Sequence, residues 1–343
     1  MTAVRIERLE LSDTQTLRGC LEVRRAVHAA DDPPESPKSA RVLGGWLRCG
    51  WLGNPGEVWI AAGPDAGGVA AWYRLDLPDL ENLDRAWLHI LVHPARQRQG
   101  IGRALLRHAA GRAAAAGRAI LGGEVRDGSA GDRFAAAAGA TPGVAGTLRE
   151  LDLRTAPAGK FAAVRADAER ASSGYSLVSW TGPTPEEYLD RMAALINAFG
   201  DAPRDAGVQA ESWDAARVRE RSDGPLEILG VRRYTVAAVH DATGELAGMS
   251  QLDVDPEYPE LGHQALTTVT RPHRGHRLGL LAKSAMLGWL AVIEPQLERI
   301  QTGNAAGNEH MIAVNDALGF AACPPAFHTV ELGVKDVLDR GPA

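Results

Sequence analysis

Two stretches carry residue types suited to holding an anion: Gln97–Arg103, QRQGIGR, and Thr270–Lys283, TRPHRGHRLGLLAK. Each follows a strand-like run and opens a helical pattern. The first turn of a helix exposes unpaired backbone N–H groups and a partial positive charge, so a diphosphate binds there when the preceding loop comes close enough. Gly100 and Gly102 remove Cβ atoms from that approach and permit a nest of N–H donors, while Arg98 and Arg103 add side-chain charge. The second stretch repeats the device with Gly275 and Gly279 among His273, Arg274, His276 and Arg277. That basic density also resembles a nucleic-acid arm, but a net charge of −6 argues against counterion-driven phosphate-backbone binding. Neither stretch is a dinucleotide fingerprint, since Leu105 stands where a third glycine is needed, and neither has the Gly-Lys-Ser/Thr of a Walker loop.

Similar elements must position both loops. Alternating or apolar runs predict strands at Val4–Leu11, Trp87–Val92, Ala119–Gly122 and Thr147–Leu153 in the first half. The second half has counterparts at Tyr175–Trp180, Gln264–Val269, Arg299–Thr302 and Thr329–Val334. A helix follows each loop, and a later helix ends at Gly139 in one half and at Gly319 in the other. Strand, loop, helix, strand, helix, strand, read twice, predicts an α/β (α+β) protein of two domains, residues 1–154 and 175–343. The Ala-, Ser- and Gly-rich segment 155–174, with a helix-prone middle, is the expected linker. Residues Asp31–Ser36, DDPPES, are expected to form a loop.

The pattern V-x-P-x-x-Q/R-x-x-G-x-G/A between a strand and a helix resembles the acyl-CoA-binding motif of the GNAT acyltransferase superfamily. Val92, Pro94, Gln97, Gly100 and Gly102 satisfy it; Val269, Arg274 and Gly279 satisfy it again, with Arg271 at the proline position and Arg277 at the first glycine. Covering both halves, the resemblance is to tandem GNAT proteins of the mycothiol synthase type. It implies two domains, each a mixed, mostly antiparallel sheet flanked by helices, and acetyl-CoA as the cofactor. By that resemblance the cofactor contacts fall at Val92, Gln97, Arg98, Gly100, Ile101, Gly102 and Arg103 in the first half. In the second they fall at Val269, Arg274, Gly275, His276, Arg277, Leu278 and Gly279. A long side chain at Arg277 either opens the loop or turns outward to grip phosphate from its edge. In TGNAAGNEHMIAVNDALGF, Thr302–Phe320, Asn304 and Asn308 are read one helical turn apart; the resemblance gives them the pantetheine arm, and helix capping is the alternative.

Acyl transfer from a thioester to an amine needs a backbone N–H on the carbonyl, a base for the amine proton and a proton donor for the thiolate. The superfamily commonly places a Tyr four residues before the closing glycine as that donor; the positions here are Ala135 and Asn315. Catalytic candidates are therefore His263, Glu260, Gln264 and Asn315 in the second half, with His89 and Glu124 in the first. Thr181–Arg233 is the expected acceptor wall, where Asp201, Asp205, Glu211 and Asp214 suit a cationic amine or form a solvated face. The expected activity is N-acetylation of a small primary amine, with the chemistry in the second half. A non-catalytic acyl-CoA-binding protein with degenerate sites is the alternative.

The bulk numbers agree with an ordinary globular protein: 343 residues, 45% hydrophobic and 23% charged. Cys20, Cys49 and Cys323 are widely spaced, and no His or Cys spacing suits a metal. No run has membrane length, so the expectation is a cytoplasmic monomer or homodimer without nucleic-acid or membrane partners.

Overall fold

The computed structural model describes residues 4–31, 38–50, 52–63, 68–201 and 204–340. In chain order its elements are β1 (Ile6–Arg8), α1 (Thr14–Asp31), α2 (Ala40–Cys49), β2 (Glu57–Ala62), β3 (Val69–Asp76), β4 (Arg85–Val92), α3 (Ile101–Ala115), β5 (Ile120–Arg126), α4 (Ala130–Ala138) and β6 (Thr141–Asp152). There follow α5 (Lys160–Ala171), β7 (Tyr175–Thr181), α6 (Leu189–Ala198), α7 (Ala215–Arg217), α8 (Pro225–Leu229), β8 (Arg232–His240), β9 (Leu246–Val254) and β10 (Leu261–Val269). The chain closes with α9 (Leu278–Ile293), β11 (Arg299–Ala305), α10 (Glu309–Leu318), β12 (Ala321–Gly333) and α11 (Val334–Asp339).

Two compact units result. The first holds Met1–Ala145, Asp205–Gln209 and Pro325–Ala343; the second holds Gly146–Arg204 and Ala210–Pro324. The first unit orders its strands β1-β2-β3-β4-β5-β12, with only the β4–β5 pair parallel. The second orders them β7-β8-β9-β10-β11-β6, with only β10–β11 parallel. Each is the mixed, mostly antiparallel sheet flanked by helices that the family resemblance implied.

The division differs from a cut between 154 and 175. The strand that closes the first half, through Gly146–Asp152, pairs with β11 of the second unit. The strand that closes the second half, through Phe327–Gly333, pairs with β5 of the first. Side-chain alternation specifies which face of a strand is buried, and so its register, without specifying which sheet edge receives it. The expected linker is also structured: α5 packs on α9, with Phe161 and Val164 against the second core. The DDPPES loop lies outside the described residues except for Asp31, which ends α1.

Each loop helix is held by what it buries. On α3, Leu105, Leu106, Ala109, Ala110 and Ala113 form one stripe at helical spacing, facing the first unit's core. By contrast α9 is buried nearly all round, because β8 and β9 lie on one side of it and α5 on another. Its apolar composition includes one cation, Lys283, only 2% exposed.

Candidate functional site

The two loops share a backbone. In the first, Arg98 and Gly100 have φ of 62° and 84°; in the second, Gly275 and Arg277 have φ of 90° and 55°. Gly100 and Arg277 are the left-handed N-caps of α3 and α9, and neither caps its helix with a side-chain hydrogen bond. A left-handed Arg costs roughly 1–2 kcal/mol. Burial of Leu278 and Leu281, fully inside the second unit, contributes about 2 kcal/mol each and offsets it. Gly102 is not forced by its protein neighbours: a Cβ there would make ordinary contacts, 3.4 Å from the Phe134 ring and 3.6 Å from Val92.

Gln97 and Arg274 occupy matching places and make the same contact. The Gln97 amide donates to the Val92 carbonyl at 3.4 Å, and the Arg274 Nε donates to the Val269 carbonyl at 3.3 Å. Both side chains therefore close the loop onto the end of its strand. Arg277 turns outward, but toward Asp167 on α5, with which it forms an ion pair. The Ser172 hydroxyl donates to the His276 carbonyl at 2.7 Å, so α5 fastens the second loop at two points. Arg98 and Arg103 are exposed beside the first loop; Ile101 and Leu278 are the first residues of the two helices and pack into the cores.

Below each loop two parallel strands part. β4 and β5 stay in register only through Trp87↔Gly122, and β10 and β11 only through His263↔Gln301. In the second unit the parting coincides with a bulge, where the ladder between β10 and β9 skips Ala265. A bulge of this kind interrupts pairing and re-aims the strand. The first unit's β3–β4 ladder runs unbroken.

At the second parting a polar row crosses the sheet. In register are Arg233 on β8, Asp253 on β9, His263 on β10, Gln301 on β11 and Glu150 on β6. Arg233 and Asp253 form a two-point ion pair at 2.8 Å, and Gln301 donates to Glu150 at 2.8 Å. Of the expected catalytic residues, His263 belongs to this row. Gln264 instead folds onto β9, where its amide donates to the Ser250 hydroxyl at 3.0 Å and to the Gln251 carbonyl, holding the bulge. Glu260 sits where β10 and β11 are still together; its carbonyl accepts the N–H groups of Glu298 and Arg299 at 2.9 Å.

Asn304 and Asn308 separate. Asn304 is on β11, not on a helix, while Asn308 caps α10, its side chain accepting the Met311 N–H at 3.3 Å. The helical reading failed because the apolar stripe that follows begins only at Met311. Asn304 is nonetheless tied to Asn315. The Lys283 ammonium donates to Asn315 Oδ1 at 2.6 Å, and Asn315 Nδ2 donates to Asn304 Oδ1 at 2.7 Å. Asn315 is fully buried, and burial without a carboxylate pulls the Lys283 pKa down to about 7. The Phe320 ring lies 5.0 Å from the same ammonium. Sequence reasoning passed over Lys283; a lone lysine inside an otherwise apolar helix was the available signal.

The acceptor wall also differs from expectation. Asp205 belongs to the first unit, where it accepts the Val144 N–H at 2.6 Å and the Thr329 hydroxyl at 2.9 Å. Asp214 caps α7, and Glu211 accepts the Trp213 indole at 3.3 Å. These three carboxylates are structural acceptors; the Asp201 side chain lies outside the described residues. Among the described residues the buried acid of this region is Asp223, at the end of a π-helical turn, Val218–Asp223. One of its oxygens accepts the Thr184 N–H at 2.9 Å, the other has no partner among the described residues, and burial raises its pKa.

In the first unit the corresponding space is filled by aromatic rings, beside a buried Arg74–Asp76 ion pair at 2.8 Å. Trp87 lies against Gly122, so close that a Cβ there would meet the ring at 2.5 Å. His89 packs against Trp46 and Trp72 at ring distances of 5.3 and 5.6 Å, and its Nε2 has no partner among the described residues. Burial drives its pKa to about 3, leaving it neutral. Ala135 is buried, Leu106 occupies the step of α3 that Lys283 occupies on α9, and Glu124 is exposed.

A family model described as an acetyltransferase (GNAT) domain matches residues 54–137. Among solved structures, a tandem GNAT protein from the clavulanic acid biosynthesis pathway is 31% identical, with 99% of this chain and 100% of that one covered and a TM-score of 0.80. A GCN5-related N-acetyltransferase from Sphaerobacter thermophilus is similar at 16% identity, covering 96% of this chain and 95% of its own, with a TM-score of 0.65. That second likeness is one of fold. Comparison with curated protein sequences finds no match.

Proposed function

Because the chain belongs to the GNAT acetyltransferase family, in its tandem form, we propose that it transfers an acetyl group from acetyl-CoA to a primary amine of a small molecule, with the chemistry in the second unit. The observation that carries this reading is the parting of β10 and β11 at a bulge, beneath a left-handed helix entry and beside a row of polar side chains. Acetyl-CoA supplies an activated thioester; the residues supply its place. N–H groups at the starts of α3 and α9 suit the diphosphate. The interrupted β10 ladder offers backbone donors to the thioester carbonyl, and His263 stands as the acceptor of the amine proton. Asn304 and Asn315, polarised by Lys283, place donors and positive charge where a thiolate would develop. Asp223 offers a buried carboxylate oxygen to the acceptor's ammonium. A small-molecule acceptor is further supported by the 31% identical tandem protein, which comes from a small-molecule biosynthetic pathway.

For the first unit a second reading is favoured by its buried neutral His89 and by the Trp87 ring that fills its parting: a site that binds the cofactor or supports the fold without turnover. Thiol release from acetyl-CoA with a panel of primary amines tests the main reading. Release that depends on the amine supports it; binding of acetyl-CoA without turnover on any amine returns the whole chain to the binding-protein alternative.

A further inference from the structure

We propose that His240, Glu245 and His273 form a binding site for a divalent cation of the zinc class. His240 ends β8, Glu245 closes the turn that leads into β9, and His273 ends the short turn Arg271–His273 before the second loop. Their ligand-type atoms all lie within 4.8 Å of one another, and His273 Nε2 is 3.6 Å from Glu245 Oε2. Tetrahedral zinc with bonds near 2.0–2.2 Å separates its ligand atoms by roughly 3.3 Å. Binding would draw the ligand atoms closer together, and the Glu245 side chain, 65% exposed, has room to swing.

Hydrogen bonds already orient both rings for such a role. The Thr243 hydroxyl donates to Glu245 Oε2 at 2.9 Å, which leaves its oxygen to accept from His240 Nδ1 at 3.0 Å. His240 Nε2 then carries the lone pair. At 2.8 Å, Tyr175 Oη accepts from His273 Nδ1 in the tautomer whose Nε2 faces Glu245. Metal-bound imidazoles commonly hold their second nitrogen in this way, and such partners fix ring orientation and tautomer. The frame is firm: the His240 and Gly244 N–H groups bond to the Glu245 and His240 carbonyls at 2.9 and 2.8 Å, and Gly244 takes a φ of 73°. The His240 and His273 rings stand 4.9 Å apart, both against Tyr175.

Two imidazoles and one carboxylate are a ligand set that zinc uses, with a fourth position left open. Two neutral rings beside one carboxylate sum to a single negative charge, which a dication inverts. A bound cation would also fasten the β8–β9 turn to the second loop. The ligands come from two separate segments, so no local His spacing announced them.

The metal-stripped full-length protein is titrated with Co²⁺, followed by its ligand-field absorption, and with Zn²⁺ against a chromophoric chelator. One ion per chain is expected. His240→Ala and His273→Ala should weaken binding at least about 100-fold, and Thr243→Val and Tyr175→Phe about tenfold, as for partners of metal-bound imidazoles. Glu245→Gln, at an exposed position where folding is retained, should weaken it about tenfold or more, and His310→Ala on the exposed face of α10 should leave it unchanged. No Co²⁺ uptake by the unaltered chain, or Zn²⁺ affinity the same in Glu245→Gln and His240→Ala as in the parent, overturns the assignment.

Discussion

Gly100 and Arg277 occupy the same left-handed step of two loops, and Arg98 and Gly275 the other, so each loop has one glycine and one arginine in exchanged places. The backbone is the same in both because contacts outside those side chains hold it, Gln97 and Arg274 onto their strand ends and the buried faces of α3 and α9, with the Arg277–Asp167 pair added in the second loop. Below the loops nothing enforced such equivalence. In the first unit Trp87, His89, Leu106 and Ala135 put rings and apolar groups there, with the Arg74 and Asp76 charges spent on each other, while His263, Lys283, Asn304 and Asn315 keep the second polar. The loop geometry shared by the two units rests on the main chain and on buried helix faces, whereas the proposed chemistry rests on a few side chains that the two units do not share.

The contrast breaks most visibly at the histidines. His263→Gln should lower kcat by about 10²–10⁴, with acetyl-CoA affinity by calorimetry little changed, whereas His89→Gln should leave turnover nearly intact. A loss of that size at His89 would reverse the assignment of the two units. Next in size is Lys283, whose ammonium is disfavoured in the folded state. Below about pH 7 it is protonated both folded and unfolded, so the burial penalty is fully present. As pH rises toward the ordinary lysine value of about 10.4, the unfolded chain binds more protons than the folded one, and stability should increase by a few kcal/mol. Urea unfolding at pH 7 and pH 10 reads this gain, and Lys283→Met should flatten it while Leu106→Met in the first unit changes nothing with pH.

Glycine replacement sharpens the comparison of the loops. Gly100→Ala and Gly275→Ala should each cost about 1–2 kcal/mol and weaken acetyl-CoA binding at the altered loop alone, visible as a change in calorimetric stoichiometry. The smallest effect belongs to Arg277→Ala. Its pair with Asp167 is about half exposed, so denaturant unfolding should move by less than about 1 kcal/mol.

What could be read from the chain was local. Gly139 and Gly319 stop α4 and α10 in left-handed conformations, as their place after an apolar stripe implied. The strands before the loops and the helices after them stand where their periodicities put them. Asn304 was misplaced because β11 runs on through Ala305, and the apolar stripe of α10 begins only after the cap at Asn308. Asp205 looked like an acceptor charge until folding delivered it to Val144 and Thr329 of the first unit.

By itself the amino-acid order determined two glycine-bearing loops, the helices they open and the family motif, because dihedral preference and apolar spacing act within a few residues. Only the tertiary structure decided which sheet each closing strand enters, which way Arg277 points, and that Lys283, Asn315 and Asn304 form one buried chain. Those outcomes depend on partners distant in sequence, which desolvation and hydrogen bonding select only once the chain has collapsed.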